Sequence, residues 1–138
     1  VFKLGPGKRQ ALPSCSCIYP TRQDAIVVNK VNAIAWGLDA DPTEIIPENA
    51  IPFVFNIHYC NIGSISNNDQ YEIHLFKGPA GSEEQVARLS FDRSNTVGEG
   101  SIPVQTRILP ANTRISAKLT ASTAAARSVS IKLAYNVY

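Results

Sequence analysis

The chain has 138 residues, 44% hydrophobic and 17% charged, and its 13 basic and 11 acidic side chains leave a formal net charge of +2. That apolar content with so little net charge excludes an intrinsically disordered chain, and the near balance of charge excludes a general nucleic-acid binder. No run approaches the ~20 consecutive apolar residues of a membrane-spanning helix, so composition predicts one soluble globular domain.

Residues 1–24 carry Gly5, Pro6, Gly7, Pro13 and Pro20, too many breakers for a helix or a long central strand. They predict an extended N-terminal arm. Phe2, Leu4, Leu12, Ile18 and Tyr19 give it apolar anchors, and Lys8 and Arg9 make it basic, a combination suited to ordering against a neighbouring subunit. The start lacks the apolar core and small-residue cleavage site of a secretory signal, which predicts no export. Three cysteines, Cys15, Cys17 and Cys60, cannot all pair within one chain, and the odd number argues against a disulfide framework and for a reducing compartment, or for assembly there.

Residues 25–138 read as one β domain. The Val, Ile and Ala of residues 25–36 predict a long strand or two short ones ending at Gly37, with Trp36 packed in the core. Residues 38–52, with three prolines and the acids Asp39, Asp41, Glu44 and Glu48, predict an acidic connection. Phe53, Phe55, Ile57 and Tyr59 then alternate with Val54, Asn56, His58 and Cys60, which predicts one aromatic face and one mixed face. Tyr71, Ile73 and Leu75 alternate next, and a hairpin with a long loop would join these two strands. Further alternation follows at Ala87–Leu89–Phe91, at Ile102–Val104, at Ile115–Ala117–Leu119 and at Val129–Ile131–Leu133–Tyr135–Val137, with residues 121–127 as a loop. About seven or eight short strands separated by turn signals predict an all-β antiparallel β-sandwich of jelly-roll type, preceded by the arm.

The second half adds a resemblance. Gly78, Gly81, Ser82 and Glu83 form a Gly-x-x-Gly-Ser-Glu turn before a strand, and Pro110, Thr113, Arg114, Ile115 and Leu119 form a Pro-x-x-Thr-Arg-Ile-x-x-x-Leu segment before a closing alternating strand. Over residues 78–138 this resembles a recurrent pattern in structural proteins of tailed-bacteriophage virions. The resemblance implies a virion component, a capsid decoration (cement) protein, located in the virion after assembly in the host cytoplasm. Its partners would be the major capsid protein or other virion subunits, and copies of itself in a homotrimer. The matched residues are turn and strand positions, so no catalytic role comes with them.

Charge distribution points the same way. Residues 101–138 hold Arg107, Arg114, Lys118, Arg127 and Lys132 and no acid, while acids gather at residues 39–48. Basic strands and a basic arm at one place and an acidic loop at another suit docking on an acidic lattice or on further copies. Phe2, Leu4, Lys8, Arg9, Ile18, Tyr19, Arg107 and Arg114 are the candidate partner-binding residues. A glycan- or receptor-binding module of a phage tail, collar or fibre is the alternative, with Trp36, Tyr71 and Tyr138 as a stacking platform beside Asn61, Asn67 and Asn68.

Catalytic and metal chemistry finds little footing. Cys15, Cys17, His58 and Cys60 are the only zinc-like set, and His58 and Cys60 would share one strand face, but the Cys-x-Cys spacing does not fit common zinc motifs and buried apolar cysteines are the expectation. Asp39, Asp41 and Glu44 lack the complete calcium-loop pattern, and adjacent Glu83 and Glu84 would point to opposite faces of a strand. There is no Gly-x-Ser-x-Gly elbow, P-loop or dinucleotide fingerprint, and neither His58 nor His74 has an evident orienting partner. A non-enzymatic protein with no cofactor and no metal is the expectation.

Overall fold

A computed structural model describes residues 15–21, 24–92 and 100–138. Among the described residues there are nine strands and no helix: β1 (Cys15–Tyr19), β2 (Ile26–Lys30), β3 (Thr43–Ile46), β4 (Phe55–Ile65), β5 (Gln70–Lys77), β6 (Glu84–Asp92), β7 (Gly100–Pro103), β8 (Ile115–Ala121) and β9 (Arg127–Val137). They form two antiparallel sheets. The first has the order β1-β9-β4-β7 with β2 also on β9, and the second has the order β3-β8-β5-β6.

Strand β9 organises the first sheet because its alternation suits it to a half-buried central position. Val129, Ile131, Leu133 and Val137 face the core, while Lys132, Ala134 and Asn136 stay partly open between them. One edge of β9 takes β4, from Phe55 opposite Val137 to Ile65 opposite Val129. The other edge takes two strands in series, β1 against residues 133–137 and β2 against residues 127–131.

The inner faces of both sheets contribute to one hydrophobic core, with Phe55, Ile57 and Ile62 from β4, Tyr71, Ile73 and Leu75 from β5, and Ile115 and Leu119 from β8. Ala117 and Ala121 alternate with those larger β8 residues, so large and small side chains share one face. Each fully buried Leu, Ile or Phe contributes on the order of 1.5–3 kcal/mol relative to exposure. This is a two-sheet, sandwich-like all-β fold, as the period-2 alternation predicted.

Four expectations need correction. Strand β4 carries a bulge: Ile57 pairs with Tyr135 and Tyr59 with Ala134, leaving His58 as an extra residue. The core face held by Phe55 and Ile57 therefore resumes at Cys60 and Ile62, Tyr59 turns to solvent, and the predicted face shared by His58 and Cys60 is lost. Strands β4 and β5 are not a hairpin, because residues 66–69 carry the chain from one sheet to the other. The acidic connection contains a strand, β3, whose Ile45 and Ile46 are both buried across a register shift. The apolar run of residues 25–36 keeps strand pairing only to Lys30, and Trp36 lies outside the core.

Phe2, Leu4, Lys8 and Arg9 lie outside the described residues. Ile18 and Tyr19, expected in the arm, belong to β1 and pair with Ala134 and Leu133. Replacing Ile131, fully buried at the centre of β9, with Ala should cost about 2–5 kcal/mol, read as a lower urea midpoint at unchanged slope.

Candidate functional site

Three connections converge at one end of the sheets: residues 31–42 after β2, 66–69 after β4 and 122–126 after β8. Polar groups buried beneath them hold them in place. Lys30 follows Val28 on the core-facing side of β2 and is completely buried, and its Nζ donates to the carbonyls of Asn32 and Ala125 at 2.9 Å each. A buried ammonium without such acceptors would be strongly destabilising, so the two carbonyls must stay where they are.

Asp69 fastens the second and third connections. Its carboxylate accepts from the Gln70 amide at 2.8 Å, from Arg127 Nε at 3.1 Å and from the Ser122 hydroxyl. Burial alone would raise its pKa, but the bonds from Ser122, Thr123, the Gln70 amide and Arg127 outweigh that and hold it down at about 2. The Tyr71 hydroxyl donates to the Asn67 carbonyl at 2.6 Å, and the Ser66 amide donates to the Ser128 carbonyl at 2.9 Å.

The β2–β3 connection is pinned separately. Asp39 accepts from the Val31 and Asn32 amides at 2.9 and 3.1 Å and from Asn32 Nδ2 at 2.7 Å. Burial raises its pKa, the Val31 and Asn32 bonds lower it, and the net shift is downward. Asn32 Oδ1 in turn accepts from the Ile34 amide, and it would lie 2.4 Å from a Cβ at position 37, so the loop closes this tightly only over Gly37. The Trp36 amide donates to the Ala121 carbonyl at 2.7 Å.

On this fastened backbone the side chains point outward. Val31, Ile34, Trp36 and Leu38 are all exposed, Val31 to 74% and Trp36 to 48%. Four large apolar side chains open to solvent within eight residues form a cluster rather than a scatter. Trp36 has a φ of 57°, a left-handed conformation that a bulky residue adopts only under constraint. Strain of this kind costs on the order of 1–3 kcal/mol and concentrates at binding and switch segments. The arrangement is a rigid apolar projection able to enter a complementary recess on another surface.

The other proposed residues fare differently. Arg114 is clamped inside the molecule, 2.8 Å from Glu44, 3.4 Å from Glu83 and 3.2 Å from the Gly78 carbonyl. Arg127 is held by Asp69, and Lys118 sits 5.4 Å over the Phe76 ring. Lys132 lines a hollow of about 640 Å³ with Asp24, Asn61 and Ser130, and Arg107 is exposed. Acidic loop and basic strands thus meet partly within one copy, through Glu44 and Arg114. Glu83 and Glu84 do take separate partners, Arg114 and Lys77.

Of the zinc-like set, the Cys15 side chain lies outside the described residues, Cys17 is disulfide-bonded, which departs from the reduced cysteines expected, and Cys60 is a buried free thiol whose pKa burial pushes up to about 12. No group of three possible metal ligands occurs among the described residues. Contrary to the sequence expectation, His74 has an orienting partner, Glu72 at 2.6 Å, which also lies 3.4 Å from Arg88. The predicted stacking platform is not formed either, since Tyr71 is buried and stacked on Phe91 while Trp36 is open. The chain matches no protein-family model and no curated protein.

Two expectations follow from this end of the molecule. Because folded Asp69 refuses a proton until about pH 2 while the unfolded chain accepts one near pH 3.9, its contribution is complete above that value and is lost as pH falls toward 2. Comparing urea stability against pH for the parent and for Asp69→Asn should show on the order of 2 kcal/mol less acid loss in the variant, which starts lower at neutral pH. Trp36→Gly should raise the melting temperature, by a gain of about 1 kcal/mol, since glycine adopts the required φ freely.

Proposed function

We propose that this chain is a non-enzymatic structural protein of a tailed-bacteriophage virion, a decoration or cement protein that binds and stabilises the capsid shell. The observation that carries the docking part is the exposed Val31, Ile34, Trp36 and Leu38 cluster on a backbone fixed by Asp39, Lys30 and the Trp36–Ala121 bond. Such a rigid aromatic anchor loses little freedom on binding and suits an apolar recess between major capsid protein subunits.

The jelly-roll reading is supported by the strand order. If β1 and β2 count as one interrupted strand, each sheet has four members, and the chain changes sheet at every connection except those joining β1 to β2 and β5 to β6. Double-sheet jelly rolls of this wiring recur in viral capsid and lectin domains. The phage origin rests on the Gly78–Glu83 turn and the Pro110–Leu119 segment, and in the structure these lie side by side, joined by the Arg114 contacts to Gly78 and Glu83. Many copies on a lattice, in the homotrimeric form proposed here, gain avidity from modest individual contacts.

Lectin-like wiring also leaves room for a second reading, a glycan- or receptor-binding module of a tail, collar or fibre. It is favoured by exposed Asn67, Asn68 and Thr123 at the same end as Trp36. Saturable binding to undecorated shells separates the two. Trp36→Ala should weaken shell binding about thirtyfold, the equivalent of a 2 kcal/mol hot spot, without lowering the melting temperature. Unchanged shell binding would sink the docking surface, and glycan-array binding lost on the same substitution would favour the second reading.

A further inference from the structure

A second apolar patch lies at the opposite end, where β4 begins. Phe55 and Leu109 exchange both backbone hydrogen bonds and are buried, so their neighbours Val54 and Ile108 turn away from the core by simple alternation. Both are exposed, Ile108 to 57%, as is the adjacent Phe53. Between them Asn56 is buried, yet its Oδ1 accepts no hydrogen bond among the described residues. An apolar rim around an unpartnered acceptor fits an extended peptide that brings apolar side chains and a backbone N–H.

This chain supplies such a peptide. Residues 1–14 precede β1, and they carry Phe2, Leu4 and Leu12 for the rim. Pro6 and Pro13 bias the residues before them to extended conformations. Cys15 pairs with Val137, which pairs with Phe55, so β1 starts about 10 Å from the patch. Strand β1 is antiparallel to β9 and Cys15 pairs with its last residue, Val137, so residues 1–14 join the described chain at the end of the sheet where the patch lies. Fourteen extended residues span up to about 46–50 Å, against a radius of gyration of about 14 Å for a domain of this length. The segment can therefore reach the same patch on a neighbour.

We infer that residues 1–14 of one copy seat Phe2, Leu4 or Leu12 on the Phe53, Val54 and Ile108 patch of a second copy, with a backbone N–H of the segment donating to Asn56 Oδ1. This contact joins copies to one another and does not depend on shell docking through Trp36.

The test is complementation, read as mass by light scattering after size exclusion. The full chain should self-associate, whereas a chain lacking residues 1–14 and a Val54→Asp, Ile108→Asp chain should each run as monomers. Mixed one to one, the two variants should give a heterodimer, because the double variant lends its segment to the intact patch of the truncated chain. Melting curves establish that each variant is folded, with Val54→Ser, Ile108→Ser replacing the aspartate pair if that one is not. A monomeric full chain, a variant that still self-associates, or a mixture that stays monomeric would each overturn the inference.

Discussion

The pairing of β9 on both edges is the constraint on which the first sheet depends. Its eleven residues hold β4 along one side and β1 and β2 along the other, so three strands share one template. The same strand delivers Arg127 to Asp69 at one end and Val137 to the Phe55 and Cys15 pairs at the other. Both proposed contact surfaces are thus anchored to the two ends of a single strand. Backbone bonding fixes their separation, so the molecule presents them at a constant spacing.

At the loop end, polarity inside produces apolarity outside. Lys30 and Asp69 are buried charges, each held by several partners, and a partly satisfied set would be worse than an apolar core. Their satisfaction demands particular carbonyls and hydroxyls from three connections at once. That over-determination is what keeps Trp36 in a conformation it would otherwise leave. The net cost falls on stability, and what it supports is a surface that needs no reorganisation before contact.

Much of this was legible beforehand. Alternation at Tyr71–Leu75, Ile115–Leu119 and Val129–Val137 located strands and faces correctly, because a face buried on one side imposes period two. The extra residue at His58 was invisible, since a bulge changes pairing without changing composition, and it moved Cys60 into the core. The apolar neighbours of Trp36 predict burial, and nothing local signals that Asp39 and Ala121 hold its backbone open. In sequence Arg114 reads as free for a partner because Glu44 and Glu83 are 70 and 31 residues away. A signal for the loop did exist in the crowding of Val31, Ile34, Trp36 and Leu38 beside Gly37 and Asp39, where a strand of a two-faced sheet would have alternated with polar residues.

The sheet borders have a consequence for solubility. Strand β7 is four residues long and ends in Pro103, β3 is four residues long with a register shift, and the border formed by β1 and β2 is interrupted between Tyr19 and Ile26. Only β6 runs nine residues, and it carries exposed Gln85, Arg88 and Ser90 and a register shift against β5. Short, broken or charged borders are poor templates for adding a strand from another molecule. Copies crowded at high local concentration are thereby steered away from edge-to-edge fibre growth, so the contacts left to them lie off the sheet borders.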